Sequence, residues 1–415
     1  MIVFMITWSL IMLTSMLDMK QYVTNHTNRQ IHDDSIPFMT KFNNAPQCTP
    51  LTPQEIQYTL VTHSSEDRLW MMEHHCKRWS YTNSISIAVF TNQEVDDIYS
   101  KLTTLGCHRE HLTVQTVRYQ SSIDKHHVSK SNLRHASTDS DSNFFEGSIQ
   151  DYPVNKLRNM ALSIVTTSHV LLLDIDFLGS TDLFPTLHRK DVKETLSKDD
   201  KMAIVVPAFQ VYHACALNEE CDEANISRMP YTKTELKKLV KKGSATMFDP
   251  TNRGGHGTTN YVSWFGGSDQ GLIDIPCIKS KRYEPYIVLR FCDVMPPFQE
   301  RFNGYGKNKL SWSLQMHRVG YRFKQLDEGF ITHYPHDDSK ARKKWNLRPD
   351  NLQQYMKANE LPSDSVDWSN YKRGQVDALY VEFQNWLNLE VADDARTPMC
   401  TKYNNDNNLW VTKRG

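Results

Sequence analysis

The sequence predicts an α/β fold built on a central, mostly parallel sheet. Two observations carry that expectation. Residues 170–178, Val-Leu-Leu-Leu-Asp-Ile-Asp-Phe-Leu, form an unbroken apolar run ending in Asp174 and Asp176, as expected of a strand buried on both faces. Around it, apolar runs alternate with segments of helical spacing, which suggests a parallel sheet with right-handed crossovers. With 415 residues, 39% of them hydrophobic, the chain is long enough for one large domain.

The elements follow in order. Ile85 to Phe90 reads as the first buried strand, and Gln93 to Leu105 as a helix with Val95, Ile98, Tyr99 and Leu102 on one face. Leu112 to Val117 alternates as a second strand. Residues 120–148 are dominated by Ser, His, Asp, Lys and Asn and read as a surface loop. Asn155 to Val165 places Leu157, Met160, Ala161 and Ile164 on one helical face and feeds the Asp174/Asp176 strand. Ala203 to Pro207 and Ile287 to Phe291 read as further strands, Lys309 to Arg318 and Gly374 to Leu389 as helices, and residues 338–372 as irregular. Carboxylates on alternate positions at a strand's end are expected to share one side, at the edge where open α/β sheets place ligands.

The flanks differ. Met1 to Leu17 has no charged side chain and, at the short limit of a membrane span, reads as an uncleaved signal-anchor; a signal peptide is the alternative. Residues 18–55, with Pro37, Pro46, Pro50 and Pro53, read as a flexible stem. The domain is expected over 56–340, and a helical or irregular extension over 341–415. Net charge is zero, which gives no support to nucleic acid or electrostatic membrane binding. Eight cysteines without a Cys-x-x-Cys pair suggest disulfides in an oxidising compartment, with Cys215 and Cys221 the natural local pair. Asn25 and Asn225 head glycosylation triplets.

A strand ending in Asp-x-Asp suits a metal-dependent phosphatase or a GT-A glycosyltransferase, in which the pair grips a cation that neutralises a diphosphate. About a hundred residues of α/β sequence precede the motif and no Gly-Asp-x-x-x-Asp follows, which disfavours the phosphatase. Tyr152-Pro-Val-Asn-Lys-Leu-Arg-Asn-Met-Ala, Leu171 to Leu178, His256 to Trp264, Tyr283-Glu-Pro-Tyr-Ile-Val-Leu, Glu300 to Lys309 and Ile331-Thr-His-Tyr-Pro-His336 together resemble glycosyltransferase family 49, the LARGE-like and β-1,4-glucuronyltransferase-like enzymes, over residues 55–340.

That resemblance implies a GT-A type nucleotide-sugar-binding fold in a single large catalytic domain, Mn²⁺, and a UDP-sugar donor. It makes Asp174, Asp176 and His333 the metal ligands, with His336 the local rival of His333. It brings Arg158 to the donor's phosphates or carboxylate, and Asn260 and Trp264 to the sugar or acceptor pocket. An inverting displacement needs a carboxylate base, for which Glu300 is the candidate, with Asp293 as fallback and Arg301 orienting or pairing. Relatives carry an Asp where this chain has Gln299. The implied enzyme is a Golgi type II membrane protein transferring glucuronate from UDP-glucuronate to a glycan on a glycoprotein, such as terminal xylose. UDP-N-acetylglucosamine as donor, or a lumenal glycan-binding pseudoenzyme, are the alternatives.

Overall fold

The computed structural model describes residues 36–42, 45–79, 83–118, 152–215, 219–267, 271–346 and 372–401. The expected signal-anchor, Asn25, the 120–148 loop and residues 347–371 lie outside them. Among the described residues no helix is long and apolar enough to cross a membrane.

Twelve strands form two sheets. They are β1 (Tyr58–Ser65), β2 (Ile85–Phe90), β3 (Leu112–Val117), β4 (His169–Leu172), β5 (Phe177–Gly179), β6 (Met202–Val206), β7 (Ala208–Val211), β8 (Ala245–Met247), β9 (Ile273–Asp274), β10 (Tyr286–Arg290), β11 (Arg322–Gln325) and β12 (Ile331–His333). The large sheet runs β3-β2-β1-β4-β10-β6-β11-β9 and the small one β5-β12-β7-β8. The four strands expected at 85–90, 112–117, 203–207 and 287–291 correspond to β2, β3, β6 and β10, and the helices Val95–Thr104, Val154–Ser163, Asn308–Arg318 and Lys372–Glu390 fall where periodicity puts them.

The large sheet is mixed but mostly parallel. β3, β2, β1 and β4 run parallel, and β11 pairs parallel with β6. The reversed strands are β10, antiparallel to β4 and β6, and β9, antiparallel to β11. Apolar runs report burial on two faces and carry no sign of direction, so β10 reads identically either way. Alternation then splits each central strand between two cores. Ile87, Val89, Leu171, Ile204 and Val288 enter one, while Ala88, Val170, Leu172, Val205 and Leu289 enter the other. β1, not the 85–90 segment, is the first strand; its polar Thr59, Thr62, His63 and Ser64 hide it from an apolar-run search, although all four are buried.

Three chain segments leave the large sheet and enter the small one. β4 passes to β5 through residues 173–176, β6 to β7 through Pro207, and β11 to β12 through residues 326–330. Pro207 has no N–H to continue the ladder, which suits a break between sheets. The Asp174–Asp176 segment is therefore a turn at the junction of the sheets, not the end of a strand.

The flanks are part of the domain. Cys48 is bonded to Cys292 and Cys277 to Cys400, with Cys76–Cys107 and the expected Cys215–Cys221 beside them. Phe38 packs on Phe383 and Trp386, and Phe42 on Phe291. Residues 36–42 are thus docked through Phe38 and Phe42, and residues 45–55 through the Cys48–Cys292 link and the Pro46 and Cys48 backbone bonds to Asp293, rather than forming a free stem. The Lys372–Glu390 helix buries Val376, Leu379, Phe383 and Leu387 against Phe302, so no boundary falls at residue 340. Asn225 is 1% exposed and its Oδ1 accepts the Ala214 N–H, which closes it to glycosylation in the folded chain.

His75, His169 and His256 are buried, and burial lowers their pKa values to about 4, 3 and 3. Each stays neutral in the fold while the unfolded chain takes up protons below its ordinary value near 6.5. Stability should therefore hold above that value and fall as pH drops from 7 to 5, by roughly 1–2 kcal/mol for each histidine. Differential scanning fluorimetry across that range should show a falling Tm; a flat Tm would reject neutral burial of the three rings.

Candidate active site

The turn between β4 and β5 is held by its backbone before any side chain acts. The Leu173 N–H donates to Val61 O at 3.0 Å, Phe177 N–H to Asp174 O at 3.0 Å, and Tyr334 N–H to Asp176 O at 2.8 Å. His75, on the helix Met72–Arg78, donates through Nε2 to Ile175 O at 2.8 Å. A turn does not keep the strand's alternation, so the two carboxylates do not share a face as expected. Each gathers its own partners.

Asp174 is enclosed by four elements. Its Oδ1 accepts from Arg158 Nη2 at 2.6 Å and faces His63 Nε2 at 3.3 Å. Its Oδ2 accepts from Tyr286 OH at 2.9 Å and Lys309 Nζ at 3.0 Å. Burial alone would raise its pKa, but Lys309 and Arg158 outweigh that and hold the carboxyl well below the usual range. Arg158 is itself fixed by Asn155 Oδ1 at 2.9 Å and lies over the Phe298 ring at 5.1 Å. His63 Nδ1 bonds the Tyr152 hydroxyl at 2.8 Å, and burial keeps this imidazole below its ordinary value.

Asp176 stands among groups that can share a metal. Its Oδ2 lies 2.9 Å from His336 Nε2, 3.7 Å from His333 Nε2 and 3.1 Å from Arg68 Nη1. Ligand atoms of Asp176, His333 and His336 all fall within 4.8 Å of one another. The β5/β12 register explains this: His333 pairs with Phe177, the residue after Asp176. Burial would raise the Asp176 pKa, yet the two histidines hold it well below the carboxylate range. His336 Nδ1 donates to Asp337 O at 2.6 Å, the kind of outer hydrogen bond that orients a metal-bound histidine. One carboxylate and two imidazoles fit a divalent transition-metal ion. His336 joins His333 rather than competing with it, and Asp174 stands outside this trio with its oxygens committed to cations.

The remaining expected residues are dispersed. Trp264 is 0% exposed, packed against Phe209, Phe265 and Phe330, and donates to Gly329 O; it is core, because an indole closed on every side cannot line a pocket. Asn260 caps the helix Tyr261–Gly266 through Oδ1 to Ser263 N–H, and its backbone pairs with the Gln325 amide. Glu300 accepts from Asn159 Nδ2 at 2.9 Å. Asp293 accepts the Cys48 N–H at 3.1 Å, which makes it a brace for the Cys48–Cys292 link. Arg301 pairs with Glu382 at 2.6 and 2.9 Å and lies over Phe38, so it binds the flanks to the domain. Gln299 is buried, its amide bonded to Met39 N, Met39 O and Gln315 Oε1; it is a packing device for the docked amino-terminal segment.

Four site residues were not singled out from sequence: His63, Arg68, Tyr286 and Lys309. Tyr286 and Lys309 lie inside quoted motifs, so a titratable residue within a recognised block was the available signal. His63 lies on β1, a strand that was itself missed, and Arg68 follows it. Directly around Asp174 and Asp176, three cations (Arg68, Arg158, Lys309) face two carboxylates. A cation site beside that surplus suits a diphosphate.

Comparison with known proteins bears on that chemistry. The family model described as Glycosyl-transferase for dystroglycan matches residues 57–361. Xylosyl- and glucuronyltransferase LARGE2 of Mus musculus is 30% identical over 292 residues, 70% of this chain and 36% of that protein. Glycosyltransferase-like protein gnt14 of Dictyostelium discoideum is 28% identical over 287 residues, 68% of this chain and 38% of that protein. The crystal structure of S. aureus TarS 1-349 in complex with UDP-GlcNAc aligns over 80% of this chain and 73% of its own at 11% identity and a TM-score of 0.36. The chain spans little more than a third of the length of the curated relatives it matches.

Isothermal titration with Mn²⁺ should show one site, and Asp176→Asn should weaken it by about 10- to 100-fold with Tm unchanged. Equal affinity in the variant would make the Asp176, His333 and His336 cluster purely structural.

Proposed function

Because the chain belongs to the family Glycosyl-transferase for dystroglycan, we propose that it is a metal-dependent inverting glycosyltransferase that moves a sugar, glucuronate, from UDP-glucuronate to a glycan acceptor. The observation that carries this is the Asp176, His333 and His336 cluster next to an Asp174 clamped by Arg158 and Lys309. Asp176, His333 and His336 would hold Mn²⁺, whose chemistry there is to neutralise the departing diphosphate. Arg158 and Lys309 keep Asp174 ionised and oriented. The Arg68 guanidinium stands beside Asp176 with its side chain 27% exposed, open to a phosphate oxygen.

Transfer is a single displacement. The acceptor hydroxyl oxygen attacks C1 of the donor sugar from the face opposite the diphosphate. The bond from C1 to the diphosphate oxygen breaks, and the hydroxyl proton passes to a base. Gln299 is engaged by Met39 and Gln315, which supports a packing role for it in this chain.

Glucuronate is supported by the relatives, which are named xylosyl- and glucuronyltransferases. Four disulfides fit a lumenal setting, with Golgi attachment through the apolar segment 1–17 as the matching proposal. Full-length chain with Mn²⁺ and a panel of UDP-sugars should release UDP from UDP-glucuronate only when a xylose-terminated acceptor is present. Preference for UDP-N-acetylglucosamine would change the donor. No release with any donor, with UDP still bound, would overturn the enzyme reading.

A further inference from the structure

The displacement needs a carboxylate able to meet the acceptor hydroxyl, and Glu300 has one oxygen engaged by Asn159. Glu284 differs. It is half-buried, accepts no hydrogen bond and closes no ion pair among the described residues. Its backbone is nevertheless fixed, since its N–H donates to Gly255 O at 2.9 Å. Pro285 follows it and restricts Glu284 to extended backbone, so alternate side chains here take opposite sides. Tyr283 turns to one side, where its hydroxyl meets Thr259 Oγ1 at 3.1 Å inside the core. Tyr286 turns to the other, where its hydroxyl reaches Asp174 at 2.9 Å. Glu284 stands two residues before Tyr286, whose hydroxyl is on Asp174, and the two cations that clamp Asp174, Lys309 and Arg158, also act on the Glu284 carboxylate.

The charged surroundings agree. Burial raises the Glu284 pKa; Lys309 and Arg158 from the Asp174 side pull it down, Asp249 raises it and Arg282 lowers it, leaving it above its ordinary value. Tyr305 and Tyr380 sense its charge from the Gly-bearing loop and from the Lys372–Glu390 helix. An unpartnered carboxylate with a raised pKa, standing next to a cation-rich site, is what proton abstraction from a sugar hydroxyl requires.

We propose that Glu284 is the catalytic base that takes the proton of the acceptor hydroxyl; this rests on the transferase reading above. As the acceptor oxygen bonds to C1 of the donor sugar, its proton passes to the Glu284 carboxylate. The electron pair of the broken C1–oxygen bond leaves with the nucleoside diphosphate, and Glu284 returns its proton to solvent. No oxidant or reductant is involved.

The test uses the full chain with Mn²⁺, UDP-glucuronate or UDP-N-acetylglucosamine, and p-nitrophenyl β-xyloside as acceptor. Glu284→Gln should lower kcat by about 10²- to 10⁴-fold while UDP affinity in the presence of Mn²⁺ stays within about twofold and Tm is unchanged. Glu284→Asp should keep partial turnover and move the acid limb of the kcat–pH profile, which a structural role would not do. Wild-type turnover with Glu284→Gln equally active overturns the base assignment alone, as does a Glu300→Gln variant that loses kcat while Glu284→Gln keeps it. Loss of UDP binding or of Tm in Glu284→Gln, with an unmoved acid limb in Glu284→Asp, makes the residue structural. A wild-type chain inert with both donors overturns the transferase reading and the base together.

Discussion

One enclosed carboxylate, its side chain 22% exposed, organises the middle of this molecule. Asp174 receives Arg158 from the helix Val154–Ser163, His63 from β1, Tyr286 from β10 and Lys309 from the helix Asn308–Arg318. A partly desolvated ionised group is costly unless its oxygens are occupied. The four elements therefore cannot drift independently. Whatever fixes Asp174 also fixes the turn that follows it, and with it Asp176.

That dependence explains a division of labour within Asp-x-Asp. Asp174 is saturated by fixed cations and acts as an anchor, while Asp176 keeps a softer and more adjustable set, two imidazoles and one partly exposed guanidinium. The anchor comes from the core side of the turn and the exchangeable ligands from the small sheet. A cation site assembled this way is placed by the fold and not by the ion, because the β5/β12 register and the Tyr334–Asp176 backbone bond set its dimensions first.

Much of this was legible in the chain, and the misses have physical causes. Asp174, Asp176, Arg158 and His333 were readable because a carboxylate after an apolar run, or a histidine in a short motif, is a local signal. His63, Arg68, Tyr286 and Lys309 reach the two carboxylates across 111, 108, 112 and 135 residues, and no periodicity reports a contact at that range. β1 escaped because its buried Thr59, Thr62, His63 and Ser64 do not look apolar, and Thr59 and His63 find their partners a long way off in the chain. Trp264 misled in the opposite way: aromatic residues suit sugar faces and cores equally, and only the surrounding Phe209, Phe265 and Phe330 decide. Residues 36–42 and 45–52 carry neither helix nor strand but do make contacts, since a disulfide and two phenylalanines dock them.

The three crossings between the sheets have a consequence for how the molecule comes apart. Each crossing makes a strand of one sheet covalently continuous with a strand of the other, and the two partner strands share no slack loop longer than a few residues. Separating the small sheet would tear β4, β6 and β11 from the middle of the large one, so neither can melt alone. The sheets form one cooperative opening unit, and slow amide exchange belongs at the crossings themselves. Catalytic groups are often drawn from the least stable parts of a protein; here Asp174 and Asp176 sit in the part expected to open last.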